Sequence, residues 1–266
     1  MDVGGKTAFV TGTGQGIGRL LAERLAGAGC DVIGCDLDGA RQAETRAGVE
    51  AAGARYTALA ADLSDTGAAR AVTREAARIG FDLLVNNAGI VTSGRYLGDA
   101  FETWEKTVMI DLVAVMAITY EALGHLRERA EAHVVNMSSV AGVVASPGQA
   151  AYCAAKFGVT GFTRAIEMEC AGSSIAVSTI HPTMVRTRMI DGVTGSRNVP
   201  VIEPAEVVDA VVDAIRTGKP TVFVPPKMRW LMDVFPRVLP GTAKRMALED
   251  ESAQSWLATQ KGLPDG

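Results

Sequence analysis

Seven short apolar runs, separated by longer stretches of helical character, constrain this chain more than any other feature. The runs lie at 6–11, 30–36, 54–60, 81–86, 133–137, 174–180 and 221–224. Phe81-Asp-Leu-Leu-Val85 and Ala176-Val-Ser-Thr-Ile180 lack the strict polar alternation of a sheet with one wet face. Strands this apolar are buried on both sides, as happens when helices cover both faces of a parallel sheet. The intervening segments 16–28, 39–52, 65–79, 101–131, 151–171 and 204–217 read as those helices. Repeated β-α units of this kind predict an α/β, doubly wound, Rossmann-like fold, a mostly seven-stranded parallel sheet in one domain. The domain is expected to span residues 1–225, with residues 226–266 as an extension serving dimerisation, pocket cover or surface packing.

The first run ends in Thr11-Gly12-Thr-Gly-Gln15-Gly16-Ile17-Gly18 and leads directly into a helix. Glycines there allow positive φ and close backbone approach, and the helix N-terminus offers free amides to a phosphate. The spacing departs from G-x-G-x-x-G, and a glycine-rich turn alone is weak evidence. Its position between a strand and a helix is the context that strengthens it. The second run ends at Asp36, a carboxylate suited to the two hydroxyls of an adenosine ribose and repulsive to a 2′-phosphate. Neither Gln15 nor Leu37 offsets that charge, so NAD is expected over NADP. The blander reading of Asp36 is a strand-end cap.

Tyr152-Cys-Ala-Ala-Lys156 opens the helix at 151–171, and an i, i+4 pair shares one helical face. A phenol needs its pKa lowered by ~3 units to act as a base at neutral pH, which is ~4 kcal/mol of differential stabilisation. A nearby ammonium works in that direction. Alone, such a pair is more often ordinary helix packing. Here Ser139 follows the fifth run, Asp62-Leu63 the third, and Asn86-Asn87-Ala88-Gly89 the fourth. Each falls at the carboxyl end of a strand, where open α/β sheets bind ligands.

With these motifs and Pro182-Thr-Met-Val185-Arg-Thr187, the chain resembles the single-domain, NAD-dependent branch of the short-chain dehydrogenase/reductase family over residues 4–225. The resemblance implies that Tyr152 is the general acid/base, that Ser139 orients the substrate oxygen, and that Lys156 binds nicotinamide ribose while lowering the tyrosine pKa. It also implies adenine contacts from Asp62 and Leu63, a cofactor contact from Asn87, and carboxamide contacts from Val185 and Thr187. Two positions depart from the family pattern. Asp111 stands where the family has the asparagine of a catalytic tetrad, and Thr183 where it usually has glycine. Asp111 is expected to keep the proton relay through its backbone carbonyl, although a second carboxylate can raise the Tyr152 pKa.

Val140, Val143, Val144, Met184, Met189, Ile190 and Val193 are expected to line a pocket for a mostly apolar secondary alcohol or ketone. Gly192 and Gly195 suggest a mobile flap. The enzyme reading competes with an NAD(H)-binding or scaffold protein of weak activity, and with an epimerase or dehydratase of the same superfamily.

A net charge of −4 gives no basic surface for nucleic acid. His125, His133 and His181 lack partners at ligand spacing, so no metal is expected. Cys30, Cys35, Cys153 and Cys170 form no C-x-x-C pair, and Cys30 and Cys35 should point to opposite faces of their strand. Reduced thiols and no visible export signal lead to an expected cytoplasmic location. The best uncharged candidate for a spanning helix, residues 132–155, is too polar. A membrane is therefore not the expected partner, although basic and apolar residues mix in the extension. The resemblance suggests a homo-oligomer, either a dimer through the helices at 101–131 and 151–171 or a tetramer.

Overall fold

The computed structural model describes residues 1–37 and 39–259. Its elements, in chain order, are β1 (Thr7–Thr11), α1 (Gly16–Gly27), β2 (Asp31–Asp36), α2 (Ala43–Ala51), β3 (Tyr56–Ala60), α3 (Thr66–Ile79) and β4 (Leu83–Asn86). Then follow α4 (Phe101–Val108), α5 (Ala114–Leu126), β5 (Ala132–Met137), α6 (Ala150–Glu169), β6 (Ile175–Pro182), β7 (Met184–Val185) and β8 (Val201–Ile202). The chain closes with α7 (Pro204–Thr217), β9 (Thr221–Val224), α8 (Phe235–Val238), α9 (Pro240–Glu249) and α10 (Glu251–Thr259).

The seven expected strands form one parallel sheet in the order β3-β2-β1-β4-β5-β6-β9. β7 and β8 pair separately as a short parallel ribbon. The sheet is buried on both faces because its strands supply apolar side chains to two cores. On one face Val10, Val32 and Val85 pack with Leu21 and Leu25 of α1 and Val207 and Val211 of α7. On the other, Phe9, Ile33 and Leu84 meet Val72 of α3 and Ile118 of α5. Cys30 belongs to the first core and Cys35 to the second, opposite sides as strand geometry requires.

Local chemistry sets the helix boundaries. Asp65 accepts the amides of Gly67 (2.7 Å) and Ala68 at the start of α3, a cap worth roughly 1 kcal/mol. Pro204 opens α7, the Glu206 carboxylate accepts the Glu203 amide at 3.0 Å, and Gly218 ends it in the left-handed region at φ 70°.

Two helices differ from the sequence expectation. The segment expected at 39–52 begins with a single 3₁₀ turn, Ala40–Gln42, before α2. The helix expected at 101–131 ends at Leu126, and its middle, Met109–Val113, is a wider π turn joining α4 to α5. Asp111 lies in that turn, a backbone irregularity that often marks functional sites. The joined helix Phe101–Leu126 is long and apolar enough to cross a membrane, which the reading of the sequence overlooked; here α5 packs on α3 and the sheet. The outermost residues of the extension, 260–266, lie outside the described residues, so the extension is followed only to Thr259.

Candidate active site

The strand order reverses between β1 and β4, and the carboxyl ends of the strands open there into a cavity of about 1270 Å³. Such a crevice is where doubly wound sheets take ligands. At one end of it, Gly12 and Gly16 have φ of 71° and 57°, values that strain any residue with a side chain. The turn is also too tight for one: a Cβ on Gly18 would lie 2.0 Å from the Gly12 carbonyl oxygen. Gln15 and Ile17 line the cavity between these glycines.

Asp36 faces the same space, and its carboxylate accepts the Gly14 amide at 2.8 Å and the Leu37 amide at 2.9 Å. The capping and ribose-binding readings therefore coexist, since Asp36 braces the turn while still bordering the cavity. Asp62 is partly spent as well, on the amide and hydroxyl of Ser64, and these bonds hold its carboxyl below the usual range. Leu63 sits beside it in the cavity wall.

Asn87 borders the cavity and braces the glycine turn as well. Its side-chain amide donates to the carbonyls of Thr11 (2.9 Å) and Gly12 (3.3 Å), and its backbone amide donates to the Thr11 hydroxyl. These bonds fix the turn to β4. Below it, Asn86 donates to Asn136 at 2.8 Å and Asn136 to Thr163 at 2.9 Å, tying β4, β5 and α6 together.

At the cavity's other end lie Ser139, Tyr152 and Lys156. Ser139 ends the β5 connection, and its Oγ accepts the Ala141 amide at 3.1 Å. The Lys156 ammonium lies 5.5 Å from the centre of the Tyr152 ring and donates to the Met137 carbonyl at 3.2 Å. It is also 3.1 Å from Asp111 Oδ2, a buried ion pair. The other oxygen, Asp111 Oδ1, accepts the Ile90 amide at 2.8 Å. Asp111 is completely buried and Lys156 is 5 % exposed, so this pair is screened very little by water.

Burial raises the Asp111 pKa against the pull of Lys156 and the Ile90 amide. Burial also raises the Tyr152 phenol; Lys156 and the Ser139 hydroxyl pull it down, and Asp111 adds to the rise. For Lys156, burial opposes the charge, yet Asp111 and Tyr152 together hold its pKa above the ordinary value. At neutral pH the arrangement is therefore a neutral phenol beside a charged lysine that is paired with Asp111.

Val185 and Thr187 line the cavity, with Thr187 leaning over Gly16. Thr183 lines it too; its amide is bonded to Val224 and its buried hydroxyl has no partner among the described residues. Of the expected apolar lining, Val140, Val144, Met184, Met189 and Ile190 face the cavity. Val143 does not, and Val193 is buried behind it against Trp256. Leu231, Phe235, Met246 and Trp256 of the extension line the same space; pocket cover is among the expected roles of that segment, but the sequence singles out none of these residues. Only spatial return of the chain reveals that, although the unusual density of apolar residues after Pro225 was its signal.

The expected mobile flap is strapped down. Ser196 and Asn198 donate to Asp250 at 2.9 and 3.1 Å, and the Thr194 amide donates to Ser255. Glycines permitted mobility there, but a carboxylate from the extension supplies the missing anchors. Among the described residues no cluster of three or more potential metal ligands occurs. The histidines bond elsewhere, His125 to Phe81, His133 to Ser178 and His181 to the Ser139 carbonyl.

The profile of the short chain dehydrogenase family matches residues 6–197. This chain belongs to that family. It is thereby an oxidoreductase of the short-chain type, with the seven-stranded sheet of its relatives. Nodulation protein G of Rhizobium sp. (strain N33) is 32 % identical over 192 residues, covering 71 % of this chain and 77 % of that one. Estradiol 17-beta-dehydrogenase 11 of Mus musculus is 31 % identical over 250 residues, 90 % of this chain and 81 % of that one. Among solved structures, carveol dehydrogenase from Mycobacterium avium in complex with NAD superposes with a TM-score of 0.76 at 26 % identity, covering 84 % of this chain and 97 % of that one.

Proposed function

We propose that the protein is an NAD(H)-dependent dehydrogenase or ketoreductase acting on a mostly apolar secondary alcohol or its ketone. One observation carries the reading: Ser139, Tyr152 and Lys156 open onto the same cavity as the glycine turn and Asp36. The glycine turn fits a dinucleotide, because residues without Cβ atoms let the backbone close tightly ahead of α1, whose start borders the cavity. Gly12, Gln15, Gly16, Ile17 and Gly18 would hold the pyrophosphate, Asp36 the adenosine ribose, and Val185 and Thr187 the nicotinamide end. When bound, the nicotinamide exchanges the hydride with the substrate carbon.

The chain's own groups handle the oxygen. Ser139 donates to it and stabilises the charge that develops during carbonyl reduction. Tyr152, neutral at pH 7, gives it a proton, and in the reverse direction the phenolate takes that proton back. Lys156 steadies the phenolate, and Asp111 moderates how strongly it does so. Met184, Ile190 and the extension's Phe235 and Trp256 give the substrate end an apolar wall, in keeping with relatives named for estradiol and carveol. Exposed Phe101, Met116, Tyr120 and Phe157 on α4, α5 and α6 support a homodimer through those helices.

The test is a panel of secondary alcohols and ketones assayed with NAD(H) and NADP(H). Turnover with NAD(H), lost in Tyr152→Phe, is the expected outcome. NADH binding without turnover on any substrate would favour a binding protein instead.

A further inference from the structure

After Val224 the chain leaves the sheet, and residues 225–249 present two unlike faces. Leu231, Met232, Phe235 and Met246 turn inward and form part of the cavity wall. Outward, Trp230, Val234, Val238, Leu239 and Leu248 stand in solvent, with Trp230 61 % and Val238 69 % exposed. The same stretch carries Lys227, Arg229, Arg237, Lys244 and Arg245, all exposed, against only Asp233 and Glu249. Arg237 is held by Asp233. Among the described residues the other four have no carboxylate at salt-bridge distance. A chain of net charge −4 thus gathers a cationic, apolar surface on one segment.

Isolated exposed apolar residues are normal, but five interleaved with five cations in one short segment form a surface suited to a specific neighbour. A second copy meeting this face across a two-fold axis would set the cations against themselves. An anionic bilayer satisfies both halves of the surface, taking Trp, Val and Leu into the acyl boundary and the cations among its headgroups. We propose that the outer face of residues 225–249 docks this protein on an anionic lipid bilayer. Because the inner face of that segment walls the cavity, docking brings lipid next to the pocket. Delivery of an apolar alcohol or ketone from the membrane rests on the functional reading above; docking itself does not.

The experiment uses the full chain with phosphatidylcholine vesicles, with and without phosphatidylglycerol, read by co-sedimentation and tryptophan fluorescence. Trp104 and Trp256 are buried, so a blue shift on vesicle addition reports Trp230. Binding should require phosphatidylglycerol, weaken with salt, and fall about fivefold per cation neutralised, hence about twenty-fivefold in Lys244→Gln/Arg245→Gln. Val238→Ser should also weaken it, with circular dichroism and NADH binding unchanged in both variants. Absence of binding, equal binding to neutral vesicles, or variants that instead dissociate an oligomer in sedimentation velocity would overturn the proposal. Vesicle binding needs no turnover, so a protein that docks but reduces no ketone sinks only the catalytic reading.

Discussion

Replacing Asp111 by asparagine isolates the least ordinary feature of the site. The substitution preserves shape and an acceptor for the Ile90 amide, and removes one buried negative charge. Asp111 lies 3.1 Å from the Lys156 ammonium, which lies 5.5 Å from the Tyr152 ring centre. The carboxylate is therefore no more than about 9 Å from that ring. With an effective dielectric of about 20, a charge at that range repels a phenolate by ~1.8 kcal/mol, somewhat over one pKa unit. Asp111 raises the Tyr152 pKa, so Asp111→Asn should lower it. The acidic limb of kcat/KM for alcohol oxidation, which reports formation of the phenolate in the free enzyme, should move to lower pH by at least ~1 unit. The alkaline fall of ketone reduction should move the same way. A limb that stays in place, or moves upward, would refute the view that this carboxylate tempers the lysine.

Other consequences are equally open to measurement. Asp111→Ala leaves the buried Lys156 with only the Met137 carbonyl and the tyrosine ring, and should lower unfolding free energy by about 3 kcal/mol in urea titration; a loss under ~1 kcal/mol would contradict the buried-pair argument. Burial pushes His133 and His181 down to about 4, so each is neutral when folded and protonates near 6.5 when unfolded. Their contribution is complete above the unfolded value and is lost as pH falls from about 6.5 toward 4, about 2 kcal/mol each by pH 5. His181→Asn should remove about half of that dependence in denaturant melts, and an unchanged slope would refute the assignment. Gly18→Ala should weaken NADH binding at least about tenfold by fluorescence titration, because its Cβ collides with the Gly12 carbonyl. Gly27→Ala, with open space around its Cβ, is the control. Asp36→Ser with Leu37→Arg should shift relative affinity toward NADPH by about tenfold or more; a preference that does not move would show Asp36 to be only a brace for the turn.

Much of this was legible from residue order because strands and phosphate loops obey local rules. The alternation of apolar runs, the glycine turn and the i, i+4 spacing of Tyr152 and Lys156 each act over a few residues, so their placement followed from spacing. What escaped was nonlocal. Nothing near Asn87 shows that its amide is consumed by Thr11 and Gly12, whose carbonyls lie some 75 residues earlier in the chain. The π turn at Met109–Val113 looks like ordinary helix in sequence, and only the fold shows it holding Asp111 against the Ile90 amide and Lys156. The strapped flap depends on Asp250, more than fifty residues beyond its partners Ser196 and Asn198. Contacts made by chain return cannot be read from periodicity.

The central claim is that Tyr152 moves the proton at the substrate oxygen. It is tested most directly by following the reduced-nicotinamide absorbance band while wild type and Tyr152→Phe turn over a secondary alcohol and its ketone at matched NADH affinity. The account predicts turnover by the wild type and a loss of at least about a hundredfold in kcat for the variant. A phenylalanine variant that keeps wild-type kcat would contradict it.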